Sequence, residues 1–318
     1  MYSIIIVDFN SLKVTMQYIE DCLEKIEERK ELHFVVVDNK PNSTSCHILE
    51  REMGLNIQKK VYKGLCVLCF DYHGAEVRVI QVRKNVGYAR GNNIGIEFSD
   101  REWADSYLIL SNNDIEFRER VSLTKLSRIL DETDRAAVVG PHIEDVSGRR
   151  QGPYDAARVW DSLIVRPTKM LMRLVFGKKE NKRTSQEANY PNGECDWVSG
   201  CFLVCAREKM RYAGNFDENT FLYGEEMILS ERLKKVGYAM FYCDDVKIIH
   251  RGSETIARNF KDLEAEEVLF QSLFYYFKNY RKTNRVVLGL SWIYFQLIRI
   301  CFGVGKKVNH IFKMRTVE

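Results

Sequence analysis

Four short polar groups follow four strand-like segments in this chain. Asp8-Phe9-Asn10 follows Ile4–Val7, Asp38-Asn39 follows Phe34–Val37, Arg83-Lys84-Asn85 follows Val77–Val82, and Ser111-Asn112-Asn113-Asp114 follows Tyr107–Leu110. The first is a continuous apolar run, as expected of a strand buried on both faces, and the others read as further strands. In open parallel sheets, ligands bind beyond the carboxyl ends of the strands. Asn and Asp also make turns, and that role alone would account for any one of the four groups. Four successive strand ends of the same character point instead to one polar crevice. Asn112-Asn113-Asp114 has the composition of a metal–diphosphate site. Mg2+ or Mn2+ takes one or two carboxylates and fills its shell with phosphate oxygens and water. Further along, Glu225-Glu226 opens a predicted helix, where the dipole favours carboxylates.

These groups need elements to hold them. Leu12, Met16, Ile19, Leu23 and Ile26 recur at steps of four and three, which is one face of a helix. Helices are also predicted near Ser45–Met53 and over Ala89–Phe98 and Val121–Leu130, with a fifth strand at Ala136–Val139. Alternating strands and helices imply an α/β fold with a mostly parallel sheet sandwiched by helices. The sequence has no G-x-x-x-x-G-K-[ST], which excludes a P-loop enzyme. Gly87, Gly91 and Gly95 form a ladder that loosely suggests a dehydrogenase turn, but it follows the third strand rather than the first. None of the 16 tyrosines is followed four residues later by Lys, as such enzymes require.

Composition is that of an ordinary globular chain: 318 residues, 45% hydrophobic and 29% charged. Charge is unevenly spread. Residues 281–318 hold eight Lys and Arg and a single acid, Glu318, whereas the remainder carries slightly more acid than base. Such a tail suits an anionic membrane surface, and no nucleic-acid partner is expected. Val286–Val304 is mainly apolar but is interrupted by Gln296 and Arg299, which favours a helix lying on a membrane over one crossing it. The expected division is a catalytic domain over 1–280 and a basic, amphipathic helical tail over 281–318. Nine cysteines without disulfide spacing, and no secretory signal, suggest a cytoplasmic protein. Cys66, Cys69 and His73 could form half of a zinc site, but no second pair follows at ligand spacing.

Longer motifs add a resemblance. Ile5–Ser11, Val36-Val37-Asp38-Asn39, and Asn85-Val86-Gly87-Tyr88-Ala89-Arg90-Gly91-Asn92-Asn93-Ile94-Gly95 occur in order. Leu110–Asp114, Trp197-Val198-Ser199-Gly200, Phe216-Asp217-Glu218 with Leu222-Tyr223-Gly224-Glu225-Glu226, and His250–Ser253 follow. Together they resemble glycosyltransferase family 2, the inverting sugar-nucleotide transferases of GT-A fold, and in particular the rhamnosyltransferase-like branch.

That resemblance implies roles. Asp38 would accept from the N3–H of a pyrimidine base, with Phe9 and Asn10 lining the base pocket. Asn85, Gly87, Asn92, Asn93, Asn112 and Asn113 would shape the ribose and diphosphate wall. Asp114 would hold Mg2+ or Mn2+, with His250 as a further ligand. Trp197, Ser199 and Gly200 would floor the acceptor side. Glu226 stands where the family's base is usually Asp, with Glu225 beside it. The implied partners are a nucleotide-sugar donor, dTDP-rhamnose favoured, and a lipid-linked or glycan acceptor in cell-surface polysaccharide synthesis. A UDP-hexose transferase and a non-catalytic sugar-nucleotide-binding protein are the alternatives. The enzyme is expected to be peripheral on the cytoplasmic face of the membrane. Residues 53–76 exceed the family's usual link and have no assigned role.

Overall fold

The computed structural model describes residues 1–176, 190–252 and 262–315, with side chains described to 172, over 190–252 and over 263–301. Ser253 lies outside them, as do the side chains of the tail's Lys306, Lys307, Lys313 and Arg315. The chain divides into two compact units, residues 1–155 with 189–255, and residues 156–188 with 256–318. The expected division at 280 falls inside the second unit.

The first unit is built on one mixed sheet. Strands β1 (Tyr2–Asp8), β2 (Leu32–Asp38), β5 (Ala75–Gln81) and β6 (Tyr107–Ser111) are parallel and stand in the order β5-β2-β1-β6. Ile4 and Ile6 point to one face of β1 and Ile5 to the other, and all three are fully buried. Helices α1 (Leu12–Lys25) and α4 (Leu123–Glu132) cover the first face. Helices α3 (Tyr88–Glu102) and α7 (Glu225–Lys235) cover the second. An apolar run thus becomes a strand because both of its faces find a helix.

The glycine ladder belongs to this packing. A Cβ on Gly91 would come within 2.9 Å of Val7, and one on Gly95 within 2.4 Å of Ile5. The missing side chains let α3 lie directly on β1 and β2, bringing the 85–93 segment over their carboxyl ends.

Residues 53–76 extend the sheet. β3 (Gln58–Tyr62), β4 (Leu65–Tyr72) and β5 form an antiparallel meander. Its two turns, Lys63-Gly64 and His73-Gly74, place both central residues at positive φ, as two-residue hairpins demand. Cys66 and Cys69 belong to the clusters on opposite faces of β4, so they cannot chelate one ion together. All nine cysteines are free.

On the other side of β6 the order continues through β10 (Phe202–Ala206), β8 (Ala136–Asp145), β11 (Ala239–His250) and β7 (Ile115–Glu116), and β9 (Gly193–Cys195) pairs with β11. Two short helices complete the unit, α2 (Ser45–His47) and α6 (Arg207–Tyr212).

The second unit packs helices α5 (Arg166–Phe176), α8 (Asp262–Asn279) and α9 (Arg285–Arg315) around the turn at Asp161–Val165. Phe270 and Phe295 stack with ring centroids 3.9 Å apart, and Thr168 Oγ1 and Tyr294 OH are 2.7 Å apart. The Val286–Val304 stretch is thus part of a packed helical unit. Among the described residues, no helix is long and apolar enough to cross a membrane.

Candidate active site

The sheet order changes direction between β1 and β6, with β2 on one side and β6 on the other. Such a switch point opens a crevice at the strand ends, and Asp8, Asp38 and Asn112–Asp114 all reach it.

Several amides in this crevice are held by the scaffold. Asn113 Nδ2 donates to Ser11 Oγ at 2.9 Å, Thr15 Oγ1 at 2.8 Å and Asp8 Oδ1 at 3.3 Å. Burial raises the Asp8 carboxyl, although the Ser11 and Thr15 hydroxyls work against it. Asn39 accepts from Val86 N and donates to Asn85 Oδ1 and Gly87 O, tying the end of β2 to the loop before α3. Asn85 Oδ1 also takes Gly87 N at 3.0 Å. Asn93 both donates to Phe216 O and accepts from Phe216 N. Gly87, at φ 83°, sits under Phe221, where a Cβ would come within 2.4 Å of the carbonyl oxygen; Tyr88 N donates to that same oxygen. The 85–95 motif is therefore a clamp on the 216–224 segment.

Other groups keep capacity for a ligand. Asp38 is 1% exposed and accepts from Ser45 Oγ and Lys40 N, which leaves acceptor capacity on its carboxyl oxygens. Phe9, next to Asp8 in the chain, is half-buried, and Asn10 is exposed at φ 60°, its Oδ1 taking Lys40 Nζ. Asn92 Oδ1 is buried with no hydrogen-bond partner among the described residues, while its Nδ2 donates to Tyr88 O. Asn112 is fixed through its backbone, N to Cys201 O at 2.9 Å.

The clamp delivers the carboxylate pair. Tyr223 and Gly224 take φ 73° and 82°, turning the chain sharply into α7. Glu226 Oε1 then accepts from Gly200 N at 3.0 Å. A Cβ on Gly200 would lie 2.1 Å from that oxygen, so glycine is what admits the carboxylate. Tyr88 OH donates to Gly200 O at 2.9 Å and fixes the peptide from its other side. Burial raises the Glu226 carboxyl, with the Gly200 N–H opposing. Burial, and then the Glu226 charge, push Glu225 up to about 8; it is 3% exposed, and its Oε1 has no partner among the described residues.

The metal-side residues meet through strand register. β7 begins one residue after Asp114 and pairs with the end of β11, so that Ile115 faces His250. His250 Nε2 lies 3.2 Å from Asp114 Oδ1, a buried oxygen that makes no well-aligned hydrogen bond. Nδ1–H donates to Gln151 Oε1 at 2.8 Å, which turns Nε2 toward the carboxylate. Burial opposes charge on His250 but is outweighed by Asp114 and the Cys201 sulfur, and its pKa rises to about 10. Two cis ligands on an octahedral ion at about 2.1 Å stand about 3 Å apart, so the pair fits a divalent cation. Among the described residues no cluster of three or more His, Cys, Asp or Glu forms a complete protein cage. An open site completed by phosphate and water has that composition.

Trp197 stacks on Tyr154 at 4.1 Å and donates from Nε1 to Asp155 O, and Ser199 Oγ is 3.4 Å from Cys201 Sγ. Tyr154 and Gln151 escaped the sequence reading. They lie in an irregular stretch without a motif, and only the fold brings them to Trp197 and His250. Tyr88 was visible only as the motif's aromatic residue.

A mixed sheet flanked by helices, with carboxylates gathered at its switch point, defines a glycosyltransferase of GT-A fold. The chain belongs to glycosyltransferase family 2, whose family model, "Glycosyl transferase family 2", matches residues 3–195. Two curated relatives, each named N-acetylglucosaminyl-diphospho-decaprenol L-rhamnosyltransferase, come from two strains of Mycobacterium tuberculosis. Each is 29% identical over 196 residues, or 58% of this chain, and the match spans only 61% of the relatives' length. The mannosyltransferase PcManGT from Pyrobaculum calidifontis, solved with GDP-Man and Mn2+, shares the fold at 12% identity and TM-score 0.52, over 96% of this chain and 73% of its own. GalNAc-T7, solved with UDP, GalNAc and Mn2+, does so at 14% identity and TM-score 0.51, over 79% of this chain and 43% of its own.

Two tests follow from this geometry. Gly200→Ala should push the Glu226 carboxylate off its backbone donor, lowering the thermal midpoint modestly while the unit still folds. Transfer should fall about 10²-fold, the scale of a positioned base; unchanged kcat would show that the Glu226–Gly200 contact is dispensable. Glu225 takes up a proton on folding, its pKa rising from 4.5 to about 8. Its burial therefore costs stability progressively as pH climbs through that window, and the cost is complete above it. Glu225→Gln should flatten the fall in Tm between pH 5 and 9, read by calorimetry.

Proposed function

We propose that this enzyme transfers a sugar with inversion from a nucleoside-diphosphate donor to a lipid-linked or glycan acceptor in cell-surface polysaccharide synthesis. The observation that carries this reading is the Glu226 carboxylate, half-buried and aimed by Gly200 N–H on the segment that also bears Trp197. Glycosyl transfer develops positive charge on the sugar and needs the acceptor hydroxyl deprotonated from the opposite face. Glu226 takes that proton. Burial raises its pKa, which strengthens it as a base. Asp38 accepts from the donor base, and Asn92 and Asn112 line the diphosphate path. Trp197 and Ser199 floor the acceptor side. Asp114 and His250 would hold Mg2+ or Mn2+, which supplies Lewis-acid stabilisation of the leaving diphosphate when bound. The relatives' printed name supports a rhamnosyl donor, dTDP-rhamnose, and a lipid-diphosphate-linked acceptor. The basic tail supports a place on an anionic membrane, at the cytoplasmic face.

Release of sugar and nucleotide from a panel of sugar nucleotides, with and without Mn2+, tests the reading. dTDP-rhamnose should be turned over fastest; binding of donors without turnover of any would mark a binding protein instead. Asp114→Ala should abolish the divalent-dependent rate and leave the far-UV spectrum unchanged. Retained, equally Mn2+-dependent turnover would remove Asp114 from the site. Glu226→Gln should lower transfer about 10²-fold or more, and Glu225→Gln less. The reverse ranking would make Glu225 the base.

A further inference from the structure

Helix α9 is apolar on two opposite sides. Leu288, Ser291, Phe295 and Ile298 are buried, and Phe295 stacks on Phe270 within the second unit. Val286, Leu290, Ile293, Leu297 and Ile300 are 67%, 62%, 52%, 55% and 63% exposed. At 100° per residue these five fall within an arc of about 80°, opposite the buried set. Scattered exposed hydrophobes are ordinary, but a continuous stripe of branched side chains along four turns marks a contact surface.

Charge decides what covers it. Residues 285–315 contain Arg285, Arg299, Lys306, Lys307, Lys313 and Arg315, and not one acid. The steps of four and three between the exposed residues also suit a helix–helix seam. A second copy would bring the same cationic helix against itself with no carboxylate to offset it. A surface of anionic lipid headgroups offers both an apolar layer and the opposite charge. Trp292, half-exposed on the flank, suits the boundary between them.

We propose that the Val286–Ile300 face of α9 docks flat on an anionic lipid surface, its five apolar side chains entering the headgroup boundary while its opposite face remains packed in the second unit. This rests on the membrane placement proposed above and assigns it to a face.

The test uses the full chain, because removing α9 would strip Phe295 and Ile298 from the core of its unit. Binding is measured by co-sedimentation with phosphatidylcholine vesicles, with and without phosphatidylserine, at low and high salt. The protein should bind the anionic vesicles, and high salt should weaken binding without abolishing it, because apolar insertion is not screened. Leu290→Glu with Leu297→Glu should weaken binding about tenfold or more, with thermal midpoint and donor hydrolysis in solution retained. Binding untouched by that pair, or no binding to anionic vesicles, overturns the proposal. So does a dimer in solution that the pair dissociates, since the stripe would then be a self-interface. Vesicle binding by a protein that hydrolyses no donor would sink the glycosyltransferase mechanism and leave the docking face standing.

Discussion

The Glu226 carboxylate is half-buried in the first unit and accepts a backbone hydrogen bond from Gly200. A buried carboxylate is costly unless its charge is met by donors. Here those donors are the Gly200 N–H and Glu226's own backbone N–H at the start of α7. Neither works at a distance, so the 197–200 segment and the first turn of α7 must come within hydrogen-bonding reach. A side chain at 200 would forbid that, and an ordinary backbone at 223–224 would aim the helix elsewhere. The positive φ values of Tyr223 and Gly224 are the conformational cost of placing one carboxylate.

The rest of the crevice can be understood as the machinery that makes this approach possible. Gly91 and Gly95 let α3 sink onto β1 and β2. The start of α3 can then accept Phe221 beneath Gly87, and Asn93 can grip Phe216. Tyr88 closes the circuit by donating to Gly200 O. Sheet packing, clamp and carboxylate are thus coupled in series. An error of a few tenths of an ångström at Gly95 would reach Glu226 through contacts that are all direct.

Much of this was legible in the sequence. Most of the parallel strands announced themselves as apolar runs, although Ala75–Gln81 carries Arg78 within it, and the polar strand ends marked the crevice, because burial on two faces favours polar residues at the ends. Individual duties within the crevice were harder to read. Asn85, Asn93 and Asn113 share the composition of ligand-binding amides, yet their hydrogen bonds run to Gly87, Phe216, Ser11 and Thr15. An amide that builds a turn and one that binds phosphate look alike until the backbone around them is known. The 53–76 meander was missed for a related reason. β3 is exposed at four of its five positions, so it carries no apolar run to betray it; its signal was the pair of turns at Lys63-Gly64 and His73-Gly74.

The metal-side pair shows what register adds to motif. Asp114 and His250 are 136 positions apart, and neither motif specifies the other's distance. The two-residue strand β7 does so, by zipping the residue after Asp114 onto the residue at the end of β11. Gln151 then settles which imidazole nitrogen faces the carboxylate. With Nδ1 occupied, Nε2 and Asp114 Oδ1 are left facing each other, a cation-and-carboxylate pair when His250 is protonated. That ion pair neutralises two groups that would otherwise be buried with unmet charge or unmet hydrogen-bonding capacity, and a divalent ion would have to displace the proton to take its place. A divalent cation, were it to bind at the site proposed above, would therefore compete with a proton for the same two atoms.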